Sequence, residues 1–207
     1  MSLKISSYCK INNDSISLNG KIMFKNEDKE ESLTRSIYKF MDLSYPKFYK
    51  MDILSKYGFL ASEMLISNQE TLKTYEDDAV VLIFANSNSS TLTDLKYQET
   101  IASEKPSPSP SLFVYTLPNI LLGEIAIRNK WYGENMFFVL PNFDAKFLVN
   151  YAAAILKKSD TKACLIAWVD VKEKKNDVFL CSIEKNEQNI SNTLEFNEKN
   201  LTQIYLA

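Results

Sequence analysis

Two kinds of apolar run alternate along the chain, and they predict different elements. Ile53, Leu54, Tyr57, Leu60, Ala61, Met64 and Leu65 recur at three- and four-residue spacing, which places them on one face of a helix. Asp52 falls in the first turn of that helix, where the dipole favours an anion. Ala79-Val-Val-Leu-Ile-Phe-Ala85 is instead an unbroken β-rich run bounded by polar residues, so both faces of the strand are buried, as in a parallel sheet covered by helices. Asn86-Ser-Asn-Ser-Ser90 follows as a polar loop. A helix is expected from Ile120 to about Lys130, capped by Asn119, with Leu121, Leu122, Ile125 and Ala126 as its buried side. Gly133 opens a second unit of the same kind, with a strand from Asn135 to Val139 and a helix from Ala145 to Lys157 built on Phe147, Leu148, Tyr151, Ala152, Ile155 and Leu156. Ala163 to Val169 is another buried strand, and Val178 to Ile183 pairs with it across the turn from Lys172 to Asn176.

The ends are less regular. The first 40 residues read as a strand or two, such as Lys21 to Phe24, and a charged turn from Asn26 to Glu31. After Glu184 a tail rich in Asn and Glu carries the sparse apolar residues Ile190, Leu194, Phe196, Leu201 and Ile204. Strands alternating with helices predict one α/β domain over 1–207, with a mostly parallel mixed sheet and flanking helices. Its parts are N-terminal strands and loop over 1–37, a core over 38–185 and a tail over 186–207.

Composition removes many chemistries. The 207 residues include no His, which excludes Ser-His-Asp and Cys-His sites, His-ligated zinc and any side chain that ordinarily titrates near neutral pH. Gly20, Gly58, Gly123 and Gly133 lie too far apart to form a glycine-rich phosphate cradle. The formal net charge of −2, with bases and acids interleaved, gives no field for nucleic acid. Cys9, Cys164 and Cys181 form no C-x-x-C pair, and the last two sit inside apolar runs, so buried reduced thiols in a reducing compartment are expected. The amino terminus lacks the apolar stretch of a secretion signal, and the uncharged segment from Pro106 to Gly123 contains four prolines, so it cannot be a helix throughout. The chain reads as cytoplasmic, with no membrane span, no metal and no cofactor.

Three pieces, in order, resemble the N-terminal half of a β-ketoacyl synthase of the thiolase-like fold. Lys50-Met-Asp-Ile-Leu-Ser55 is similar to the "RMDxxS" start of the family's first long helix, and Ala79 to Ser90 to its buried strand and polar loop. Ser109-Pro-Ser-Leu-Phe-Val-Tyr-Thr-Leu-Pro-Asn119, Gly123-Glu-Ile-Ala-Ile-Arg128 and Gly133-Glu-Asn135 are similar to the family's "LPN…aG.iAi..g..GPn" approach to its nucleophile. The resemblance covers about residues 38 to 185 and implies half of the ketosynthase fold.

It also implies a loss. The family places its acyl-accepting cysteine at the start of a buried helix, where the dipole lowers the thiol pKa. The matching position here, ten residues after Gly133, is Phe143, and a phenyl ring cannot attack a thioester. The family's catalytic histidines have no counterpart in a chain without His. No catalytic residue is therefore expected. The pattern is that of the chain-length-factor subunits, and the resemblance looks closest to partners of the ketosynthases of aryl polyene or flexirubin pigment pathways. It implies a heterodimer with a full-length ketosynthase, or a dimer of such heterodimers, and indirect contact with an acyl carrier protein. A solitary half of the fold leaves an apolar face exposed, as partner surfaces do.

Partner or tunnel contacts are expected from Leu112, Phe113, Tyr115, Pro118, Asn119, Phe138, Phe143 and Phe147. For Phe143 the alternatives are a ring in the wall of the partner's acyl tunnel and plain core filler. For Pro106 to Asn119 they are an interface loop and a rigid surface crossover. Asp52, Asp77 and Asp78 read as caps or solvated residues rather than paired acid catalysts, Lys172 to Lys175 as a solvated turn and Trp168 as core. The rival functions are a free-standing acyl-thioester hydrolase using a residue such as Cys164, and a scaffold that binds an acyl carrier without a synthase.

Overall fold

A computed structural model describes residues 2–28, 30–102, 106–158, 160–173, 175–186 and 194–207. Lys29 of the charged turn, Lys105 of the proline run, Lys174 of the hairpin turn and Ile190 of the tail therefore lie outside the described residues. The chain opens with strands β1 (Ser2–Ile11), β2 (Ser15–Leu18) and β3 (Lys21–Lys25), then helix α1 (Leu33–Phe40) and a 3-10 turn, Pro46–Lys50. Helices α2 (Ile53–Ser67) and α3 (Glu70–Thr74) lead to β4 (Val80–Asn86). Next come α4 (Thr91–Ile101), α5 (Pro110–Val114), α6 (Ile120–Asn129) and β5 (Asn135–Val139). Helix α7 (Ala145–Ile155), the hairpin β6 (Ala163–Lys172) and β7 (Lys175–Asn186), the short β8 (Leu194–Glu195) and α8 (Glu198–Leu206) complete it.

All strands belong to one sheet, in the order β3-β2-β1-β7-β6-β4-β5, with β8 beside β1. The expected mostly parallel sheet is corrected here. Only β5-β4-β6 is parallel, because only there do helical crossovers return the chain; β6–β7, β7–β1, β1–β2 and β2–β3 are antiparallel. The long β1 causes the difference, since it pairs antiparallel with β7 along almost its whole length.

Alternation across the sheet builds two cores. Val80, Leu82 and Phe84 of β4 face one core with Leu165, Ala167 and Val169 of β6, under α2 and α6. Val81, Ile83 and Ala85 face the other with Cys164, Ile166 and Trp168, under α7 and α8. Every residue of β4 is buried, as its unbroken apolar run predicts. Between Ile5 and Ser7 a bulge shifts the register of β1, so Ile5 enters the second core while Cys9 and Ile11 enter the first.

Two glycines answer local geometry. Asn19 and Gly20 both have positive φ, 50° and 81°, and form the two-residue turn between β2 and β3. Gly133 lies against the start of β4, where an added Cβ would stand 2.3 Å from the Val80 carbonyl oxygen. Tyr132 N–H donates to the Asp77 carbonyl at 2.5 Å beside it, fixing the entry of β5.

Asp52 is the N-cap of α2, its Oδ1 accepting from Ser55 N–H at 2.9 Å, rather than a residue of the first turn. The tail folds into the domain: β8 pairs with β1, and Phe196, Leu201 and Ile204 are buried in the second core. Among the described residues, no helix is long and apolar enough to cross a membrane.

Candidate functional site

The carboxyl ends of β5, β4 and β6 lie side by side, the position at which open α/β sheets hold their ligands. Three loop segments converge there: Asn86 to Asn88 after β4, Leu140 to Asp144 after β5, and Asp170 to Lys172 at the end of β6. Leu140 N–H donates to the Asn86 carbonyl at 2.8 Å, joining the first two. Asp144 caps α7 by accepting from Phe147 N–H at 2.8 Å, so Phe143 stands immediately outside the helix N-terminus.

Phe143 is half-buried and ringed by aromatics of its own chain. Tyr205 of α8 stacks on it with centroids 3.8 Å apart and planes at 16°. Trp168 and Phe179 meet it edge to face at 6.1 and 5.9 Å. Cavities of about 280 and 360 Å³ open beside the ring, and Phe143 lines both. A larger one, about 750 Å³, lies elsewhere, between the start of α2, α4 and the β6–β7 turn, where Ile53, Leu92 and Leu95 mix with Lys96 and Lys172.

The polar groups at the ends of these strands are paired with one another. Asp170, buried, accepts from Ser87 N–H at 2.9 Å and Ser87 Oγ at 2.8 Å, and Lys172 Nζ lies 3.1 Å from its other oxygen. Asp177 accepts from the Tyr205 hydroxyl at 2.5 Å, and burial together with that bond pushes the Tyr205 pKa up. Ser87 Oγ thus spends its proton on a carboxylate. Trp168 Nε1–H is buried with no hydrogen-bond partner among the described residues.

The three thiols are fully buried and unpaired, and burial pushes their pKa values up. Nucleophilic chemistry needs the thiolate, so Cys164 offers no support for a hydrolase. Asp52 is held by its cap and by Thr93 Oγ1 at 2.7 Å. Among the described residues, no group of three or more Cys, Asp or Glu could hold a metal ion.

The other sequence-predicted residues fall into two groups. Phe138 and Phe147 meet edge to face at 4.9 Å and, with Tyr151, form an aromatic cluster where β5 packs on α7. Leu112, Phe113, Pro118 and Asn119 lie on α5 and the loop after it; Phe113 and Asn119 are exposed, Leu112 and Pro118 half-buried. Tyr115 points inward from the same loop, and its hydroxyl donates to the buried Glu124 at 2.9 Å. Lys47 Nζ lies 2.8 Å from the second oxygen of Glu124, a charge pairing that fixes α6 to the 3-10 turn. Sequence reasoning did not bring Tyr205, Asp170, Asp177 or Glu124 to these places. The available signals were Asp170 inside an apolar strand and Glu124 among the apolar residues of a helix.

No protein-family model matches the sequence, and no curated protein matches it. Solved structures do. The ishigamide ketosynthase/chain length factor matches over 90% of this chain and 63% of its own, at 13% identity and TM-score 0.68. A type II polyketide synthase acyl-carrier protein in complex with its ketosynthase bound to the hexaketide (AntDE:AntF) matches over 90% and 63%, at 12% identity and TM-score 0.60. A ketosynthase in complex with its chain length factor from Xenorhabdus doucetiae matches over 90% and 80%, at 10% identity and TM-score 0.55. The chain thus spans less than two thirds of the length of the first two. At these identities the likeness is one of fold: the chain has the thiolase-like fold of ketosynthase and chain length factor structures.

Proposed function

We propose that this chain is a non-catalytic, ketosynthase-like subunit of the chain-length-factor kind. It pairs with an active β-ketoacyl–carrier-protein synthase that elongates a polyene- or polyketide-type acyl chain. The observation that carries the reading is Phe143, an aromatic ring at the helix start where the resembled family holds its cysteine, in a chain without His. The partner supplies the nucleophile, the acid–base residues and the condensation, and the acyl carrier visits the partner. Aryl polyene or flexirubin-type pigments are the products this resemblance favours. Three buried, unpaired thiols fit the reducing cytoplasm.

The surface supports a partner. Leu95, Ile101, Phe113, Val114, Leu117, Ile127, Tyr132, Met136 and Val139 are large, apolar and exposed, and all belong to one stretch of chain from α4 to β5. Strand β5 ends the sheet with no charged residue to guard its free edge. The proposed interface therefore runs from Leu112, Phe113, Pro118 and Asn119 to Phe138 and Phe147, with Tyr115 holding the loop from beneath. An obligate pair of this kind buries upwards of ~2,000 Å². Phe143, stacked within its own chain, is filler at the vacated position.

The test is co-expression with a full-length ketosynthase from the same pathway. Co-elution as a complex in which the synthase gains solubility or activity is expected. Separate elution, with a synthase active alone, overturns the proposal.

A further inference from the structure

Helix α8 lies over the ends of the parallel strands, where position 143 sits. Its Tyr205 ring covers the face of Phe143 at 3.8 Å and is held at both ends of the residue. The hydroxyl donates to Asp177 Oδ2 at 2.5 Å, and the carbonyl accepts from Lys10 Nζ at 2.8 Å. Leu201 and Ile204, buried in the second core, anchor the same helix to the sheet. Tyr205 lines one of the two cavities beside Phe143, while Glu198 and Thr202 of the same helix line the other. Both cavities are lined by Pro141, Asn142 and Phe143, and Tyr205 stacks on the Phe143 ring.

We infer that Tyr205 is a built-in stopper that closes the ring face of Phe143 to linear acyl chains. An alkyl chain that packs on the ring face of Phe143 has to lift Tyr205 off it, which leaves the Asp177 carboxylate without its phenol donor and opens the second core at Phe179. The chain therefore contributes a sealed wall to a ketosynthase complex rather than a second chain-holding pocket. That the excluded ligand is an acyl chain rests on the proposed function; the closure itself does not.

Cysteine labelling tests it on the full chain without a partner. Cys9, Cys164 and Cys181 are fully buried, so a cysteine introduced by Phe143→Cys is the one to react with N-hexylmaleimide in the folded protein. The N-terminus of α7 favours the thiolate there, so slow labelling reports access rather than weak nucleophilicity. Phe143→Cys is expected to label about tenfold or more slower than Thr91→Cys on the exposed start of α4. Adding Tyr205→Ala restores the fast rate, whereas adding Tyr205→Phe, which keeps the ring, leaves it slow. Labelling of Phe143→Cys as fast as Thr91→Cys, or a Tyr205→Ala variant no faster than the single one, overturns the stopper. Should Tyr205→Ala unfold the chain, the three native thiols also gain mass, and Tyr205→Val then supplies the same comparison. Failure to bind a ketosynthase would leave these rates unchanged, so the two proposals fail separately.

Discussion

Strands β3 and β5 close opposite ends of one sheet, and both run exposed, exposed, half-buried, half-buried, exposed. Their chemistry differs. Strand β3 reads Lys-Ile-Met-Phe-Lys: it has a lysine at each end, Lys25 lies 3.5 Å from Asp14, and Phe24 stacks on Phe40 at 4.9 Å. Strand β5 reads Asn-Met-Phe-Phe-Val and carries no charge. A lysine-flanked edge resists pairing with another chain, because pairing would desolvate the ammonium groups. An uncharged edge bordered by exposed apolar side chains invites it. The same exposure thus marks a finished end of the sheet in one place and an unfinished one in the other.

Breaking the unfinished end should have the largest effect. Met136→Lys with Val139→Lys places two charges on β5, and the affinity for the proposed ketosynthase partner is expected to fall about 100-fold, or ~2.8 kcal/mol. Ile22→Lys on β3 should leave it unchanged; a titration by calorimetry distinguishes them, and equal losses would erase the contrast. Gly133→Ala acts on the inner seam of β5. Its Cβ meets the Val80 carbonyl oxygen at 2.3 Å, and the overpacking is expected to cost about 1–3 kcal/mol, read as a melting temperature several degrees lower.

Removing the guard from the finished end should have a smaller effect. Lys21→Val with Lys25→Val makes β3 resemble β5, and weak, concentration-dependent self-association is expected in sedimentation velocity. A strictly monomeric variant would mean that the lysines do not protect this edge.

The smallest effect separates edges from core by pH. Neither strand contains His or Cys, so affinity for the proposed partner should be flat between about pH 6 and 8. Stability behaves otherwise in alkali. Unfolded thiols lose their protons near pH 8.5 and unfolded tyrosines near 10. In the fold, burial pushes Cys9, Cys164, Cys181, Tyr115 and Tyr205 upward and Tyr57 to about 12. Above about pH 9 the unfolded chain then binds fewer protons than the folded one, and stability falls as pH rises. Lys10 and Lys56, lowered mainly by desolvation, act in the opposite sense but are outnumbered. A melting temperature unchanged to pH 10.5 would contradict the burial of the thiols.

Much of this layout was legible because burial leaves a pattern. The one-sided spacing of α2 and the unbroken runs of β4 and β6 each identify an element by the surfaces it covers. Strand direction has no such mark: nothing in Ser2–Ile11 says that it inserts antiparallel beside β7. Helix α4 escaped notice because Thr93 is its only fully buried residue. Helix α8 is short and buries only Leu201 and Ile204 as a helical face; the cap formed by Asn197 with Asn200 N–H was its further available signal. At the site, Phe143 could be placed because the resemblance sets the nucleophile position ten residues after Gly133. Its cover could not, since Tyr205 and Asp177 come from distant parts of the chain.

The bulge in β1 has a kinetic consequence. Because Ile5 packs in one core while Cys9 and Ile11 pack in the other, the strand cannot dock on a half-built molecule. Ile11 must also find Val178 across almost the whole chain, a closure that local contacts cannot reward early. The β6–β7 hairpin and the helices on both faces form first, and β1 arrives late with β2 and β3 attached. Folding should therefore end with a slow step in which the three amino-terminal strands lock both layers at once.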